Sequence, residues 1–137
     1  MDRLLDARLA VEAAGLVAVD LYDGSMLYDF AARTLRLVDL DEYRPGPFVL
    51  TEDRLPGSRR YLAPEQWTRG AVVDTRSTVF APGRAARLLL DAGDEERAWP
   101  GGPAGLAVIA RVTDPDPAGR HPTVAALATD WRAAGGR

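Results

Sequence analysis

The chain has 137 residues, a net charge of −3, 47% hydrophobic residues, no lysine and no cysteine. This length suits one folded domain, and the nearly balanced charge excludes the basic surface of a nucleic-acid-binding protein. No apolar run approaches the roughly 20 residues that span a membrane, and there is no signal-peptide core, so we expect a cytoplasmic protein without membrane or nucleic-acid partners.

The first predicted elements are a helix and a hairpin. Leu5, Leu9 and Ala13 recur every four residues and Gly15 follows them, which predicts a helix over residues 2–14. The apolar runs "SMLYDF" and "LRLVDL" are joined by "AART", a spacing that predicts a small β-hairpin. We expect these two runs to be the only strands.

The rest of the chain predicts a long loop and then three helices. Prolines and glycines interrupt residues 41–72, so we expect a functional or mobile loop there. "STVFAPGRAARLLLD" predicts a buried helix whose first turn Pro82 bends or delays. Two more helices are predicted by "AGLAVIARVT" and "PTVAALATDWRAA", and the second of them has Pro122 at its first position. The expected fold is mainly α with one small β-hairpin.

One motif is specific enough to suggest a family. "GSRRYLAPE", residues 57–65, fits the protein-kinase pattern Gly-Thr/Ser-x-x-Tyr-x-Ala-Pro-Glu at every specified position, including Ser58. From about residue 2 to 133 the chain resembles the C-terminal lobe of a bacterial protein kinase of the Ser/Thr type. The resemblance implies one domain over 1–137, with a catalytic loop at about 17–28, a magnesium-loop strand at 35–41, an activation segment at 41–65 and a helical remainder at 73–134.

The same resemblance assigns site residues. "AVDLYDGSML" aligns with the kinase catalytic loop, His-Arg-Asp-Leu-Lys-x-x-Asn, which puts Asp20 at the catalytic aspartate and Ser25 at a second magnesium ligand. "LRLVDLD" aligns with the strand that leads into Asp-Phe-Gly, which puts Asp39 at the magnesium-binding position. In phosphoryl transfer, metal ions offset phosphate charge while a carboxylate orients the attacking hydroxyl. We therefore expect Asp20 and Asp39 to face one cleft.

The resemblance also implies an ion pair between two distant segments of the chain. In the family, the glutamate of Ala-Pro-Glu forms a buried ion pair with an arginine between the last two helices. "DPDPAGRHPT" resembles the segment that carries this arginine, so Glu65 should pair with Arg120. This is a structural role, in which the guanidinium satisfies both carboxylate oxygens.

Other positions depart from the family. The catalytic-loop His, Arg and Lys of the family correspond to Ala18, Val19 and Tyr22, and the aspartate that tethers the loop corresponds to Thr78. Without an arginine before Asp20, regulation by phosphorylation of the activation segment is not expected. Asp41 stands where the family has the glycine of Asp-Phe-Gly, a feature of aminoglycoside- and choline-kinase-type enzymes.

Two hypotheses of different classes follow. The first is an ATP- and magnesium-dependent phosphotransferase represented only by its C-lobe and inactive alone, because only about 15 residues precede the catalytic-loop region. The second is a pseudokinase-like module that binds a protein partner without catalysis. A small-molecule kinase is a third alternative. In each case an N-lobe or a partner protein would cover the exposed lobe face. The use of arginine in place of lysine, with abundant Ala, Gly and Pro, is typical of high-GC bacteria.

Overall fold

The computed structural model describes residues 1–91 and 99–135, and the part of the predicted helical remainder at 92–98 lies outside the described residues. Four α-helices are present in the described residues: α1 Asp2–Ala13, α2 Thr75–Leu89, α3 Gly102–Val112 and α4 Val124–Ala133. Six short strands accompany them: β1 Leu16–Val17, β2 Met26–Asp29, β3 Thr34–Leu37, β4 Arg44–Pro45, β5 Phe48–Val49 and β6 Val72–Val73.

The strands form three two-stranded antiparallel sheets, β1 with β4, β2 with β3 and β5 with β6. The predicted hairpin is β2–β3, but the expectation that it holds the only strands is wrong. The four additional strands are two residues long, too short for an alternating pattern to indicate them. Their pairing satisfies backbone groups within the long segment that proline and glycine keep from forming longer elements.

The hairpin positions two of the predicted site residues. Its register pairs Met26 with Leu37 and Asp29 with Thr34. Its turn is fixed by the Asp29 carboxylate, which accepts hydrogen bonds from the two backbone amides that follow residue 30, each at 2.9 Å. Ser25 therefore lies directly before β2, and Asp39 lies two residues after β3.

The helices enclose the largest cluster of buried apolar side chains. Its members come from all four helices: Leu5, Val79, Ala86, Ile109, Val112, Val124, Leu127, Ala128 and Trp131. A smaller cluster joins β1, the loop after it, the segment between β5 and β6, and β6 itself: Val17, Val19, Leu50, Leu55 and Val73. This second cluster anchors the loop after β1 to the long segment.

Neighbouring polar side chains cap α2 and α4, so the expected delay of the first helix by Pro82 is not seen and the expected start of the second helix at Pro122 is wrong. Helix α2 begins at Thr75 without delay by Pro82, since the Asp74 carboxylate accepts the Arg76 amide at 2.7 Å. Helix α4 begins at Val124, not at Pro122, because Thr123 is its N-cap. The caps set where both helices begin.

Among the residues that the structure describes, no helix combines the length and the hydropathy required to cross a bilayer.

Candidate functional site

The loop after β1 presents Asp20 between buried neighbours. Ala18, Val19 and Leu21 are at most 2% exposed, whereas Asp20 is only partly buried. The apolar side chains on both sides are held in the core, and the Asp20 side chain between them is partly buried, with its Oδ1 out of contact with solvent. Burial of the neighbours thus fixes the position of the predicted catalytic residue.

Buried polar contacts tie this loop to two distant segments. The Ala18 amide donates to the Thr78 hydroxyl on α2 at 3.1 Å. The Gln66 side chain donates to the Val19 carbonyl at 3.2 Å and accepts from the Ala63 amide at 2.8 Å. At Thr78, the position where the kinase resemblance predicts a tethering aspartate, a hydroxyl supplies the acceptor without a charge. The loop is therefore held by neutral hydrogen bonds.

Asp39 follows the hairpin with an unusual backbone conformation. Its φ is +61°, a region that residues other than glycine rarely adopt, and one of its carboxylate oxygens accepts the Tyr22 hydroxyl at 2.9 Å. Strained backbone of this kind clusters at functional sites. The hydrogen bond to Asp39 raises the pKa of the Tyr22 hydroxyl above its ordinary value.

The acidic side chains around Asp20 interact with one another. Burial raises the pKa of Asp20, the carboxylates of Asp39 and Glu42 raise it further, and the Arg8 guanidinium lowers it. The Tyr22 hydroxyl, two residues after Asp20, reaches Asp39 at 2.9 Å, so the segments that carry the two carboxylates meet. One oxygen of Asp20, Oδ1, is buried and has no hydrogen-bond partner among the described residues.

The Ser25 hydroxyl is hydrogen-bonded to the backbone of its own turn. Its hydroxyl donates to the Tyr22 carbonyl at 2.8 Å and accepts the Tyr22 amide at 3.1 Å, and the side chain is buried. One lone pair of the hydroxyl stays uncommitted, so a metal-binding role for Ser25 remains a prediction.

The segment that begins the Ala-Pro-Glu motif lies against Asp20 through Gly57. A Cβ placed on Gly57 would lie 2.8 Å from Asp20 Oδ1, and the φ of Gly57 is +128°. The described residues show no hydrogen bond between the side chains of Ser58 and Asp20. The backbone carbonyl of Ser58 instead accepts the amides of Tyr61 and Leu62, at 3.0 and 3.2 Å. The contact with the carboxylate is therefore made by the glycine.

Glu65 and Arg120 form a buried bidentate ion pair. Two terminal nitrogens of Arg120 donate to the two Glu65 oxygens at 2.7 and 3.0 Å, and the Ser77 hydroxyl also donates to Glu65. Burial raises the pKa of Glu65, but the hydrogen bonds from Arg120 and Ser77 outweigh it and leave this pKa below its ordinary value. The pair fixes the end of the predicted activation segment to the loop before α4.

Sequence reasoning missed three residues of this site: Arg8, Tyr43 and Gly57. Arg8 is 0% exposed and donates to the Tyr43 hydroxyl at 2.9 Å. The burial of Arg8 could have been predicted from the sequence, because Arg8 lies three and four residues after Leu5 and Leu4 on the same face of α1. The contact of Gly57 with Asp20 could not be predicted from the motif, because it depends on how the chain folds.

Asp39 is the carboxylate that the kinase resemblance predicts to bind magnesium. No group of three or more His, Cys, Asp or Glu side chains converges on a point anywhere in residues 1–91 and 99–135. Mg²⁺ is usually held by one or two carboxylates together with waters and substrate phosphates, which does not require such a group. The Oδ1 oxygen of Asp20, which has no hydrogen-bond partner in the described residues, is compatible with a cation of this kind.

No protein-family model matches the chain, and no curated protein matches it at a significant level. The chemistry of the site is therefore inferred from its geometry and from the sequence motifs.

Proposed function

We propose that this chain is the C-terminal lobe of a kinase-like phosphotransferase of the Ser/Thr protein-kinase type. The observation that carries the proposal is that Tyr22, on the loop of Asp20, donates a hydrogen bond to Asp39 after the hairpin at 2.9 Å, which joins the two segments that hold the carboxylates. In the proposed roles, Asp20 orients the attacking hydroxyl and accepts its proton, and Asp39 holds Mg²⁺ with the nucleotide phosphates. Bound Mg²⁺ would offset the negative charge of the phosphates.

Two structural features support these roles. Hydrogen bonds with the side chains of Thr78 and Gln66 hold the backbone of the loop directly before Asp20. The segment 57–65 runs from a contact with Asp20 to the Glu65–Arg120 pair. A firmly anchored segment beside a proton acceptor is suited to holding an acceptor hydroxyl in position.

The lobe offers only the metal and acceptor side of a nucleotide site. With no lysine in the sequence, the residue that kinases use to hold ATP cannot come from this chain. We therefore expect the chain alone to bind MgATP weakly and to transfer no phosphate. An N-lobe supplied by another polypeptide segment would complete the site.

A pseudokinase-like interaction module is the second candidate, and two observations favour it. Tyr22 occupies one oxygen of Asp39, and Ser25 is engaged in its own turn, so two of the three predicted site groups have internal partners. In addition, a groove of about 710 Å³ lies between α1, the hairpin and the end of α2, and its lining includes Leu4, Met26 and Leu35. Exposed Phe30 and Leu89 border it.

Titration calorimetry with MgATP separates the two candidates. The phosphotransferase proposal predicts a Kd near or above about 1 mM, equivalent to about −4 kcal/mol, with the heat abolished in Asp39→Asn. The matched control is Asp53→Asn, because Asp53 is 93% exposed and belongs to a surface contact. Identical heats for the unmodified chain and Asp39→Asn would favour the module. A Kd in the low micromolar range would contradict the proposal that the chain forms only one side of a nucleotide site.

A further inference from the structure

The single histidine of the chain, His121, is buried in the loop between α3 and α4. It is 1% exposed, and its Nε2 lies 3.0 Å from Oδ2 of Asp130 on α4. Because a carboxylate only accepts hydrogen bonds, Nε2 carries the proton of this contact. The other ring nitrogen, Nδ1, is buried without a hydrogen-bond partner among the described residues. A second proton would therefore add a buried donor without an acceptor, so the fold favours the neutral imidazole.

The counter-charge that Asp130 offers to this ring is shared with a cation. The same oxygen, Oδ2, also accepts a hydrogen bond from Nη1 of Arg111 on α3 at 3.0 Å. Burial lowers the pKa of His121 below its ordinary value, the hydrogen bond with Asp130 opposes this effect, and the charge of Arg111 adds to it. The geometry and the neighbouring charges thus both oppose protonation of the ring.

Two further charged side chains reach this loop, and both are bound to other groups. Arg120, directly before His121, binds Glu65 through two hydrogen bonds. Glu12 reaches from α1 to the start of α4, where it accepts the Val124 amide at 2.8 Å. Neither side chain forms a hydrogen bond with Nδ1, so a proton at this nitrogen would lack a compensating acceptor in the described residues.

The loop that buries His121 also holds the guanidinium of Arg120. Arg120 donates from Nε to the Asp114 carbonyl at 2.6 Å and from Nη2 to the Pro115 carbonyl at 3.1 Å, in addition to its bonds with Glu65. The imidazole and the guanidinium belong to consecutive residues. A displacement of the loop that brings His121 to solvent would therefore also displace Arg120.

We propose that His121 is a pH-sensitive latch: the neutral ring packs inside the fold and holds the loop before α4, whereas the protonated ring leaves its site and loosens the Arg120–Glu65 pair. Acidification would then release the end of the segment 57–65. Histidine is suited to this role because its charge changes close to neutral pH. The inference goes beyond the proposed function and does not depend on it, since it involves neither a nucleotide nor a metal ion.

The first test compares the unmodified chain with His121→Gln, which cannot titrate, by urea unfolding between pH 7.5 and pH 5. The folded pKa of His121 lies below its ordinary value of 6.5, so the unfolded chain binds the proton first as the pH falls. The stability supplied by the neutral ring is complete above about pH 6.5 and is lost as the pH falls toward the folded pKa. Relative to His121→Gln, the unfolding constant of the unmodified chain should rise by up to about tenfold per pH unit over this range. Parallel curves, or a steeper decline of stability in His121→Gln, would overturn the proposal.

The second test covers the case in which His121→Gln fails to fold. The ring of the single histidine gives one NMR signal to follow, and its midpoint in the unmodified chain should lie below 6.5. Arg111→Met should move this midpoint to higher pH, because the cation that shares Asp130 is removed. Arg132→Met is the matched control, since Arg132 lies on α4 but pairs with Asp6. A midpoint at or above 6.5 in the unmodified chain, or equal shifts in the two variants, would overturn the proposal.

The third test follows the link from His121 to Arg120. The protection of the Arg120 Nε–Hε proton, which is its intrinsic rate of exchange with water divided by its measured rate, reports opening of the loop. In the unmodified chain this protection should fall as the pH drops below 6.5, while that of buried Arg8 on α1 should be maintained. Unchanged protection at Arg120, or an equal loss at Arg8, would overturn the proposal. None of the three tests uses nucleotide, so a failure of the MgATP experiment would count against the proposed function alone.

Discussion

Arg120 binds Glu65, 55 positions earlier in the chain, through two parallel hydrogen bonds of 2.7 and 3.0 Å. Its remaining donors reach the backbone carbonyls of Asp114, Arg76 and Pro115 at 2.6 to 3.1 Å. All five N–H groups of the guanidinium are thereby used. Because the side chain of Arg120 is fully buried, its removal would leave the Glu65 charge without its counter-ion and would take a hydrogen bond from each of three carbonyls.

Arg120→Ala should therefore destabilise the fold by about 3–5 kcal/mol, the cost of breaking one side of a buried pair. Urea unfolding at neutral pH measures this. Arg132→Ala is the matched control, since Arg132 pairs with Asp6 where both side chains are about half exposed, and it should cost at most about 1 kcal/mol. Equal losses in the two variants would show that the buried pair does not stabilise the fold.

The same pair predicts how stability depends on pH. The pKa of Glu65 is below its ordinary value of 4.5 in the folded chain, so the unfolded chain binds a proton first as the pH falls. The contribution of Glu65 is complete above about pH 4.5 and is lost as the pH falls through the folded pKa. The free energy of unfolding, followed from pH 7 to pH 3, should decline less steeply in Glu65→Gln over this acidic range. Parallel curves for the two proteins would contradict the assignment.

The Thr78 hydroxyl should be needed for the stability of the Asp20 loop. Thr78→Val keeps the shape of the side chain but leaves the buried Ala18 amide without its acceptor, so we expect a loss of about 1–3 kcal/mol. Thr78→Ser retains the hydroxyl and is the control. The comparison is made by chemical unfolding, and amide hydrogen exchange at Ala18 should accelerate only in the valine variant. Slow exchange in both variants would mean that the bond is dispensable.

Some features of the fold and of the candidate site could be predicted from the sequence, whereas others could not. The Glu65–Arg120 contact was predictable, because both residues lie in motifs whose pattern specifies a partner. The strands β1, β4, β5 and β6 were not, because two-residue strands have no period to detect. The start of α4 depends in part on a distant residue as well as on its N-cap Thr123, since Glu12, 112 residues before Val124, accepts the Val124 amide at 2.8 Å. A cap supplied from such a distance depends on the packing of α1 against α4.

Gly57 should be required for the geometry of Asp20. In Gly57→Ala the new methyl group would collide with Asp20 Oδ1, and the positive φ adds strain of about 1–3 kcal/mol. Gly70→Ala shares the positive φ but has open space around it, so it controls for the strain alone. Carboxyl NMR should show a displaced Asp20 signal in Gly57→Ala and an unchanged one in Gly70→Ala. An undisturbed Asp20 in both variants would contradict the contact.

The central claim is that Asp20 and Asp39 face one cation-binding cleft. Substitution of Mn²⁺ for Mg²⁺ tests it, because a bound paramagnetic ion broadens the NMR signals of nearby amides. The account predicts that Mn²⁺ broadens the amide signals of both Asp20 and Asp39, that Mg²⁺ competes, and that Asp39→Asn abolishes both effects. Broadening of only one of the two, or broadening of both that persists in Asp39→Asn, would contradict the claim.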